Sequence, residues 1–154
     1  MSGKILLSRC LTGGCCRYDG GTNLVPALRV LVERGLAVPV CPEQLGGLPT
    51  PRCPSEIRGS RVVMHDGTDV TDAFRRGAER ALAIGLDAGC TCAVVKAKSP
   101  SCGAGAIYDG TFSGALVPGD GIFVRRLREA GIPVCTELDD WAALAGSKIT
   151  DEAQ

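Results

Sequence analysis

Short apolar segments alternate with amphipathic helical patterns along this chain of 154 residues. The segments are four or five residues long and lie at Lys4–Ser8, Leu36–Val40, Cys92–Val95 and Ile132–Cys135. Strands that alternate with helices favour a parallel sheet with helices packed on both faces. The pattern therefore predicts a single α/β domain, Rossmann-like or flavodoxin-like, with three layers and a mostly parallel sheet. We expect this domain to span residues 1–148 and a frayed tail to follow at residues 149–154.

The apolar periodicity predicts three helices, at residues 22–34, 71–87 and 121–130. Pro39 lacks a backbone N–H donor, so its strand should lie at an edge of the sheet. A short strand is expected at Arg61–Met64. The Pro- and Gly-rich segments 42–60 and 103–121 are expected to be long loops, which in a compact domain are often functional.

The nine cysteines do not fit a disulfide-stapled secreted scaffold. They make up about 6 % of the chain, below the roughly 8–10 % that marks such scaffolds, and an odd number would leave one thiol unpaired. The opening residues lack the pattern of a secretory signal, and no run of about 18 apolar residues could span a bilayer. We therefore expect a cytoplasmic protein that does not enter a membrane and keeps its thiols reduced.

The charged residues balance, with 17 Lys and Arg against 17 Asp and Glu. A formal net charge of zero argues against a surface that coats nucleic acid. We therefore expect a small molecule, rather than nucleic acid, as the partner of this chain.

Three cysteines follow predicted strands at or near their carboxyl ends. Cys10 and Cys41 come directly after the first two strands, and Cys102 lies a few residues beyond the third. Ligands of open parallel sheets bind just beyond the carboxyl ends of the strands, so these three thiols are expected to meet at one rim. Cys16 competes with Cys10 for this place, whereas Cys53 and the remaining cysteines fit better as structural residues.

Three converging thiols leave three interpretations open. A structural zinc ion prefers four ligands, usually from C-x-x-C pairs, and the sequence has no C-x-x-C. A [4Fe-4S] cluster held by three cysteines leaves one iron open as a Lewis acid, which suits a sulfur-bearing substrate. The third interpretation is that the cysteines are small buried apolar residues.

Six motifs in a fixed order carry a resemblance that extends over residues 10–121. They are Cys10–Gly20, Val38–Glu43, Gly46–Arg52, Lys98–Gly103, Ile107–Phe112 and Gly119–Gly121. Together they resemble a bacterial family formerly catalogued as a domain of unknown function, the TudS-type thiouracil desulfidases. The resemblance implies a [4Fe-4S] cluster held by Cys10, Cys41 and Cys102, and hence the iron–sulfur assembly machinery as a partner. It also implies non-redox release of sulfide from thiouracil, thiouridine or its nucleotide, a small thiolated pyrimidine, with the substrate sulfur on the open iron.

Replacing sulfur by water at a thiocarbonyl carbon needs acid–base groups near the ligands. Glu43 lies two residues after Cys41 and is the candidate general base or acid, and Ser101 directly precedes Cys102 and could orient water.

Four charged residues are candidates for substrate binding: Arg17, Asp19, Lys98 and Asp109. Arg and Lys offer positive charge to a carbonyl, a phosphate or the departing sulfide, and Asp can accept from a ring N–H. Each also has a structural interpretation: Arg17 and Asp19 could pair to stiffen their loop, and Asp109 could be a turn residue. His65 receives no role.

Two other classes of function compete with a desulfidase. One is a non-catalytic zinc or iron–sulfur module, including an electron carrier, although an electron carrier normally uses four cysteines per cluster. The other is a thiol redox protein that pairs Cys10 with Cys15 or Cys16, whose spacing departs from C-x-x-C. Glu43 and Ser101 beside the proposed ligands favour an enzyme.

Overall fold

A four-stranded parallel sheet forms the centre of the computed structural model, which describes residues 3–145. In chain order the elements are β1 (Lys4–Ser8), α1 (Pro26–Glu33), β2 (Ala37–Val40), α2 (Pro42–Leu45), β3 (Ser55–Arg58), β4 (Arg61–Met64), α3 (Thr71–Asp87), β5 (Cys90–Val95), β6 (Ala106–Tyr108), β7 (Leu116–Pro118), α4 (Ile122–Glu129) and β8 (Val134–Thr136). The order in the sheet is β2–β1–β5–β8, and all three neighbouring pairs are parallel. Pro39 lies in the edge strand β2, as predicted.

Helices cover both faces of the sheet, which confirms the predicted three-layer α/β fold. The side chains of β1 alternate between the faces: Leu6 packs with α3 and α4, while Ile5 and Leu7 pack with α1. Trp141 and Leu144, in the helical residues 141–145, also pack on the α1 side. Because alternate residues of a strand point to opposite faces, strands buried on both faces read as continuous apolar segments.

The first predicted helix is wrong at its start, because α1 begins at Pro26 rather than at residue 22. Residues 22–25 instead run alongside the segment after β1, where Asn23 N–H donates to Cys10 O at 2.9 Å and Val25 N–H donates to Leu11 O at 2.8 Å. Proline has no N–H to leave unpaired in the first turn of a helix, so Pro26 is a favourable first residue. The other predicted helices and strands agree with the structure to within about two residues.

The two segments predicted as loops are only partly irregular. Segment 42–60 contains α2 and β3, and β3 pairs antiparallel with β4; segment 103–121 contains the hairpin β6–β7. None of the three strands that were not predicted, β3, β6 and β7, carries an apolar alternation that marks it in the sequence. All three residues of β7 are exposed, and β3 buries the polar residues Ser55 and Glu56 beside Ile57.

Backbone contact between α2 and α3 depends on two glycines. A Cβ on Gly46 would lie 2.0 Å from Ala73 O, and a Cβ on Gly77 would lie 1.8 Å from Pro42 O. Any side chain at either position would therefore push the helices apart. This contact places α2, and with it Cys41 directly before α2, beside the rim of the sheet.

Within residues 3–145, no helix is long and apolar enough to cross a membrane. The expected domain boundary at residue 148 and the tail at residues 149–154 lie outside the described residues.

Gly77→Ala should lower the free energy of unfolding by about 2–3 kcal/mol, because the added methyl group meets the Pro42 carbonyl rather than a movable side chain. In an unconstrained helix the same change stabilises by about 1 kcal/mol, so the sign of the effect is informative. Gly85→Ala in the same helix is the matched control and should cost less, since its Cβ would meet the end of the buried Leu6 side chain at 2.9 Å rather than a main-chain atom. Denaturant titration of both variants tests the contact, and equal stabilities would contradict it.

Candidate active site

The carboxyl ends of β1, β2 and β5 surround a cavity of about 690 Å³. In the sheet, β2 lies on one side of β1 and β5 on the other, so the strand order reverses direction at β1. Open α/β sheets bind ligands at such a switch point, beyond the carboxyl ends of the strands, and the cavity lies there. Four cysteines line it: Cys10, Cys16, Cys41 and Cys102. The sheet therefore brings together the three cysteines predicted to converge, and adds Cys16.

Each of the three strand-end thiols sits on a short structured segment. Cys10 lies in a 3-10 turn, Arg9–Thr12, that continues directly from β1, and Cys41 is the capping residue before α2. Cys102 follows a turn in which the Ser99 hydroxyl accepts hydrogen bonds from the N–H groups of Ser101 at 3.1 Å and Cys102 at 3.0 Å. Rigid local geometry of this kind limits how far the sulfur atoms can move.

Gly121, directly before α4, lets the start of that helix pack against the turn that carries Cys102. A Cβ on Gly121 would lie 2.4 Å from Ser101 O and 2.9 Å from Cys102 N. The N–H groups of Ile122 and Phe123 donate to Pro100 O at 2.9 Å and Ser101 O at 3.0 Å, which joins the start of α4 to the same turn.

Cys16 connects two of the other thiols. Its buried thiol lies within hydrogen-bond reach of the sulfur atoms of both Cys10 and Cys41 and shares its single proton with them, and this interaction is the main cause that lowers the pKa of both. The pKa of Cys41 falls to about 7, whereas the pKa of Cys16 is raised because its proton is held between the two sulfurs. Burial is the main cause that raises the pKa of Cys102 to about 12; hydrogen bonds with Ser8 and Ser101 oppose it, and the charges of Cys10 and Cys41 act in the same direction as burial.

The thiol arrangement fits an iron–sulfur cluster better than a single ion. Within residues 3–145, no three Cys, His, Asp or Glu side chains are placed to hold one metal ion. Each thiolate of a four-iron cluster binds a different iron, so its ligands stand farther apart than those of one ion. Cys102 is 4 % exposed and its pKa is raised by the charges of Cys10 and Cys41, so the three sulfurs lie near one another at the cavity. Because burial keeps Cys102 protonated, its thiolate would be stable only beside a cation such as a metal centre.

A buried ion pair lies beside the thiols. Arg52 donates from Nε to Glu43 Oε1 at 3.1 Å, and the two side chains are 3 % and 16 % exposed. The Ser101 hydroxyl donates to Glu43 Oε2 at 3.0 Å and lies 3.6 Å from Cys102 Sγ. Arg52 Nη2 also donates to Cys16 O at 2.9 Å. The predicted acid–base residues Glu43 and Ser101 are therefore in direct contact with each other and adjacent to Cys102.

Two of the four predicted substrate-binding residues, Arg17 and Lys98, line the cavity. Arg17 pairs with Asp19 at 2.6 Å and donates to Asn23 Oδ1 at 3.3 Å. The Lys98 ammonium has no hydrogen bond or ion pair among the described residues, and its backbone has a φ of 71°. Non-glycine residues rarely adopt this left-handed conformation, which where it occurs is often found at functional sites.

Asp19 and Asp109 are engaged in their own loops and are not among the residues that line the cavity. Asp19 accepts from Gly21 N–H at 2.9 Å, and this bond, with the Arg17 charge, lowers its pKa. Asp109 accepts from the Thr111 hydroxyl at 2.6 Å and from its N–H at 2.9 Å, which lowers its pKa. Asp19 thus pairs with Arg17 and Asp109 forms a turn, as the structural interpretation of each predicted, and direct contact with substrate stays a prediction.

Several residues that line the cavity have no predicted role in the site. They include Asn23, Arg52, Glu56, His65 and Phe112. Glu56 lies in the strand that the sequence did not reveal, and His65 and Phe112 meet only through tertiary contact, with ring centroids 5.0 Å apart. Of these residues, Arg52 is the one that the sequence marks, because it lies between prolines in a long loop.

The other cysteines lie away from the cavity lining. Cys90 and Cys92 are buried at the amino end of β5, the end opposite the rim. Cys15 is exposed, and Cys53 and Cys135 are half-buried. This placement agrees with their structural interpretation.

Arg52→Ala should lower the free energy of unfolding by about 3 kcal/mol, because it leaves the Glu43 carboxylate buried without its counter-charge. Arg29→Ala is the control, since the Arg29–Glu33 pair in α1 is more than half exposed and should contribute less than about 0.5 kcal/mol. Denaturant titration at neutral pH measures both. A loss for Arg52→Ala no larger than that of the control would show that the pair does not stabilise the rim.

Comparison with known proteins agrees with this geometry. The chain is 45% identical to the solved structure of a [4Fe-4S]-dependent thiouracil desulfidase, TudS, with a TM-score of 0.88, over 94% of this chain and 98% of that one. It is 41% identical over 143 residues to the uncharacterized protein YbbK of Bacillus subtilis strain 168, which covers 86% of this chain and 95% of YbbK. The family model described as 2-thiouracil desulfurase matches residues 5–139. The strand-end thiols and the match over most of the chain lead to one conclusion: this protein belongs to the 2-thiouracil desulfurase family.

Proposed function

We propose that this protein is a [4Fe-4S]-dependent enzyme that removes sulfur from thiouracil-type compounds. Its substrates are thiouracil, thiouridine or the thiouridine nucleotide, and its products are the corresponding uracil compound and sulfide. The observation that carries the proposal is that Glu43 and Cys102 line one cavity with two more strand-end thiols, while the buried Ser101 hydroxyl behind the lining donates to Glu43 Oε2 and lies 3.6 Å from Cys102 Sγ. Membership of the family supports the same reaction.

Cys10, Cys41 and Cys102 are the proposed cluster ligands. Three protein thiolates leave one iron of a four-iron cluster without a protein ligand, which supplies a Lewis acid suited to soft sulfur. Cys16 is proposed to stay a thiol that donates its one proton to the sulfur of Cys10 or of Cys41. Hydrogen bonds to ligand sulfur atoms tune a metal site without binding the metal.

Glu43 is the proposed base for the attacking water. In the overall reaction a thiocarbonyl and water give a carbonyl and hydrogen sulfide: a C–O bond forms, the C–S bonds break, and no electrons are exchanged with a redox partner. Glu43 lines the cavity, so a water bound there beside it lies within reach of its carboxylate, and the Ser101 hydroxyl orients this carboxylate by donating to Oε2 at 3.0 Å. Arg52 Nε donates to Oε1 at 3.1 Å and fixes the other carboxylate oxygen.

Arg17 and Lys98 are the proposed contacts for the polar groups of the substrate. Lys98 has no partner within residues 3–145 and can offer its full charge to a carbonyl, a phosphate or departing sulfide. Arg17 is already bound to Asp19 and Asn23, so it presents a fixed donor. Asp19 and Asp109 contribute by shaping the loops that carry these contacts.

The proposed setting is the reducing cytoplasm, because nine free thiols are stable there without pairing. Cluster loading requires the iron–sulfur assembly machinery, and the substrate is a small molecule rather than a nucleic acid. A formal net charge of zero supports the last point.

Anaerobic purification should yield coloured protein with about four irons and four sulfides per chain, as expected for one [4Fe-4S] cluster. Such protein should release sulfide from 2-thiouracil or 4-thiouracil with formation of uracil. Colourless protein that carries zinc would overturn the proposal, and a full cluster with no sulfide release would support the non-catalytic alternative.

Cys10→Ala, Cys41→Ala and Cys102→Ala should each lose the cluster, because each removes one of three ligands. Iron content and the visible absorption spectrum measure the loss. Cys53→Ala is the matched control, since Cys53 does not line the cavity, and should keep both. Any ligand variant that retains full iron content would remove that residue from the proposed set.

Glu43→Gln should keep the cluster and lower kcat by about 10²–10⁴-fold, the range for loss of a general base. The amide oxygen can accept from Arg52 while the amide NH2 donates to the Ser101 hydroxyl oxygen, so the loop geometry is preserved better than in Glu43→Ala. Iron content and steady-state sulfide release separate the two effects. Turnover at the wild-type rate would exclude Glu43 from the mechanism.

A further inference from the structure

The aromatic residues outside the core gather at the active-site cavity. The chain has only six Phe, Tyr and Trp residues, and three of them, Tyr18, Tyr108 and Phe112, line this cavity together with His65, the only histidine. Phe74 and Phe123 are fully buried in the core, and the tryptophan packs on the α1 side. Planar heterocycles bind well against aromatic side chains, so this distribution points to a ring-shaped ligand.

Phe112 is held in place by a buried carboxylate. Glu56, 8 % exposed, accepts from the N–H groups of Gly110 at 2.9 Å and Phe112 at 3.1 Å through the same oxygen. Arg58 donates to Gly110 O at 2.7 Å, and its guanidinium lies 5.7 Å from the centre of the Phe112 ring. Phe112 itself has a φ of 57°, a conformation that a phenylalanine adopts only where its surroundings impose it.

Ser55 supplies a second, independent observation. Its hydroxyl is the one buried side-chain polar atom among the described residues that has no hydrogen-bond partner, and the residue is only 9 % exposed. Ser55 lies in the wall of the same cavity, directly before Glu56. Leaving a buried hydroxyl unpaired costs free energy, and such a group is often completed by a ligand.

We infer that Ser55 and Phe112 form the subsite for the pyrimidine ring of the substrate. The Ser55 hydroxyl bonds to a polar atom at the edge of the ring, and the Phe112 side chain contacts its face. Glu56 is a positioning residue that keeps the Phe112 loop over the cavity. This inference rests on the proposed function and adds to it the residues that select a planar pyrimidine over other thiocarbonyl compounds.

Binding of uracil to the holoenzyme, measured by calorimetry, tests the subsite without depending on turnover. Phe112→Leu should weaken uracil binding about tenfold and raise KM for 2-thiouracil by a similar factor, with kcat within about twofold of wild type. Phe112→Tyr keeps the ring and should stay close to wild type in both. Wild-type affinity in Phe112→Leu would overturn the inference.

Ser55→Ala separates a role of Ser55 in ligand binding from a role in stability. It removes an unpaired buried hydroxyl, so the free energy of unfolding should be unchanged or higher, while uracil affinity should fall about fivefold. Ser60→Ala, in the exposed turn after β3, is the matched control and should alter neither quantity. A loss of stability with unchanged affinity would show that Ser55 is a structural residue and overturn its role here.

Glu56→Gln and Glu56→Ala separate positioning from direct contact. The glutamine amide oxygen can still accept both N–H bonds, so Glu56→Gln should bind uracil like wild type, whereas Glu56→Ala should match Phe112→Leu. Equal losses in both variants would overturn the positioning role. Failure of the proposed function would look different: wild-type protein would release no sulfide from 2-thiouracil, whatever the affinities of the variants.

Discussion

The rim of the sheet depends on the burial of one carboxylate. Glu43 comes from α2, Arg52 from the following Pro-rich segment and Ser101 from the turn after β5, and all three meet through hydrogen bonds of 3.0–3.1 Å. A charge that is removed from water must be paired and hydrogen-bonded, so none of these segments can move away alone. Because the hydrogen bond to Glu43 also holds Ser101, it fixes the position of the adjacent Cys102.

Close backbone contacts complete this scaffold. Gly46 and Gly77 let α2 lie directly on α3, and Gly121 lets the start of α4 lie against Ser101 and Cys102. A methyl group at any of these positions would overlap main-chain atoms, so the absence of a side chain sets the separation of the elements. Rigid supporting elements of this kind are what a site needs when its reactive groups must stay in place.

Several features of the cavity cost stability in the protein alone. Lys98 and Phe112 have left-handed backbones, Cys102 is a deeply buried thiol, and Ser55 has an unpaired hydroxyl. Under the proposed function, a cluster would supply the cation that a Cys102 thiolate needs, and a planar substrate would supply the hydrogen-bond partner of Ser55. Local rules of folding are commonly broken at functional sites for this reason.

The sequence by itself determined the three-layer fold, the edge position of Pro39 and the meeting of Cys10, Cys41 and Cys102. These follow from apolar periodicity and from the rule that parallel strands end at one rim, both of which are readable along the chain. Only the tertiary structure decided that Ser55 and Glu56 form a strand, that Arg52 neutralises Glu43 and that Phe112 meets His65. These contacts join residues from separate segments with polar or irregular patterns, and their burial arises from packing rather than from any local periodicity.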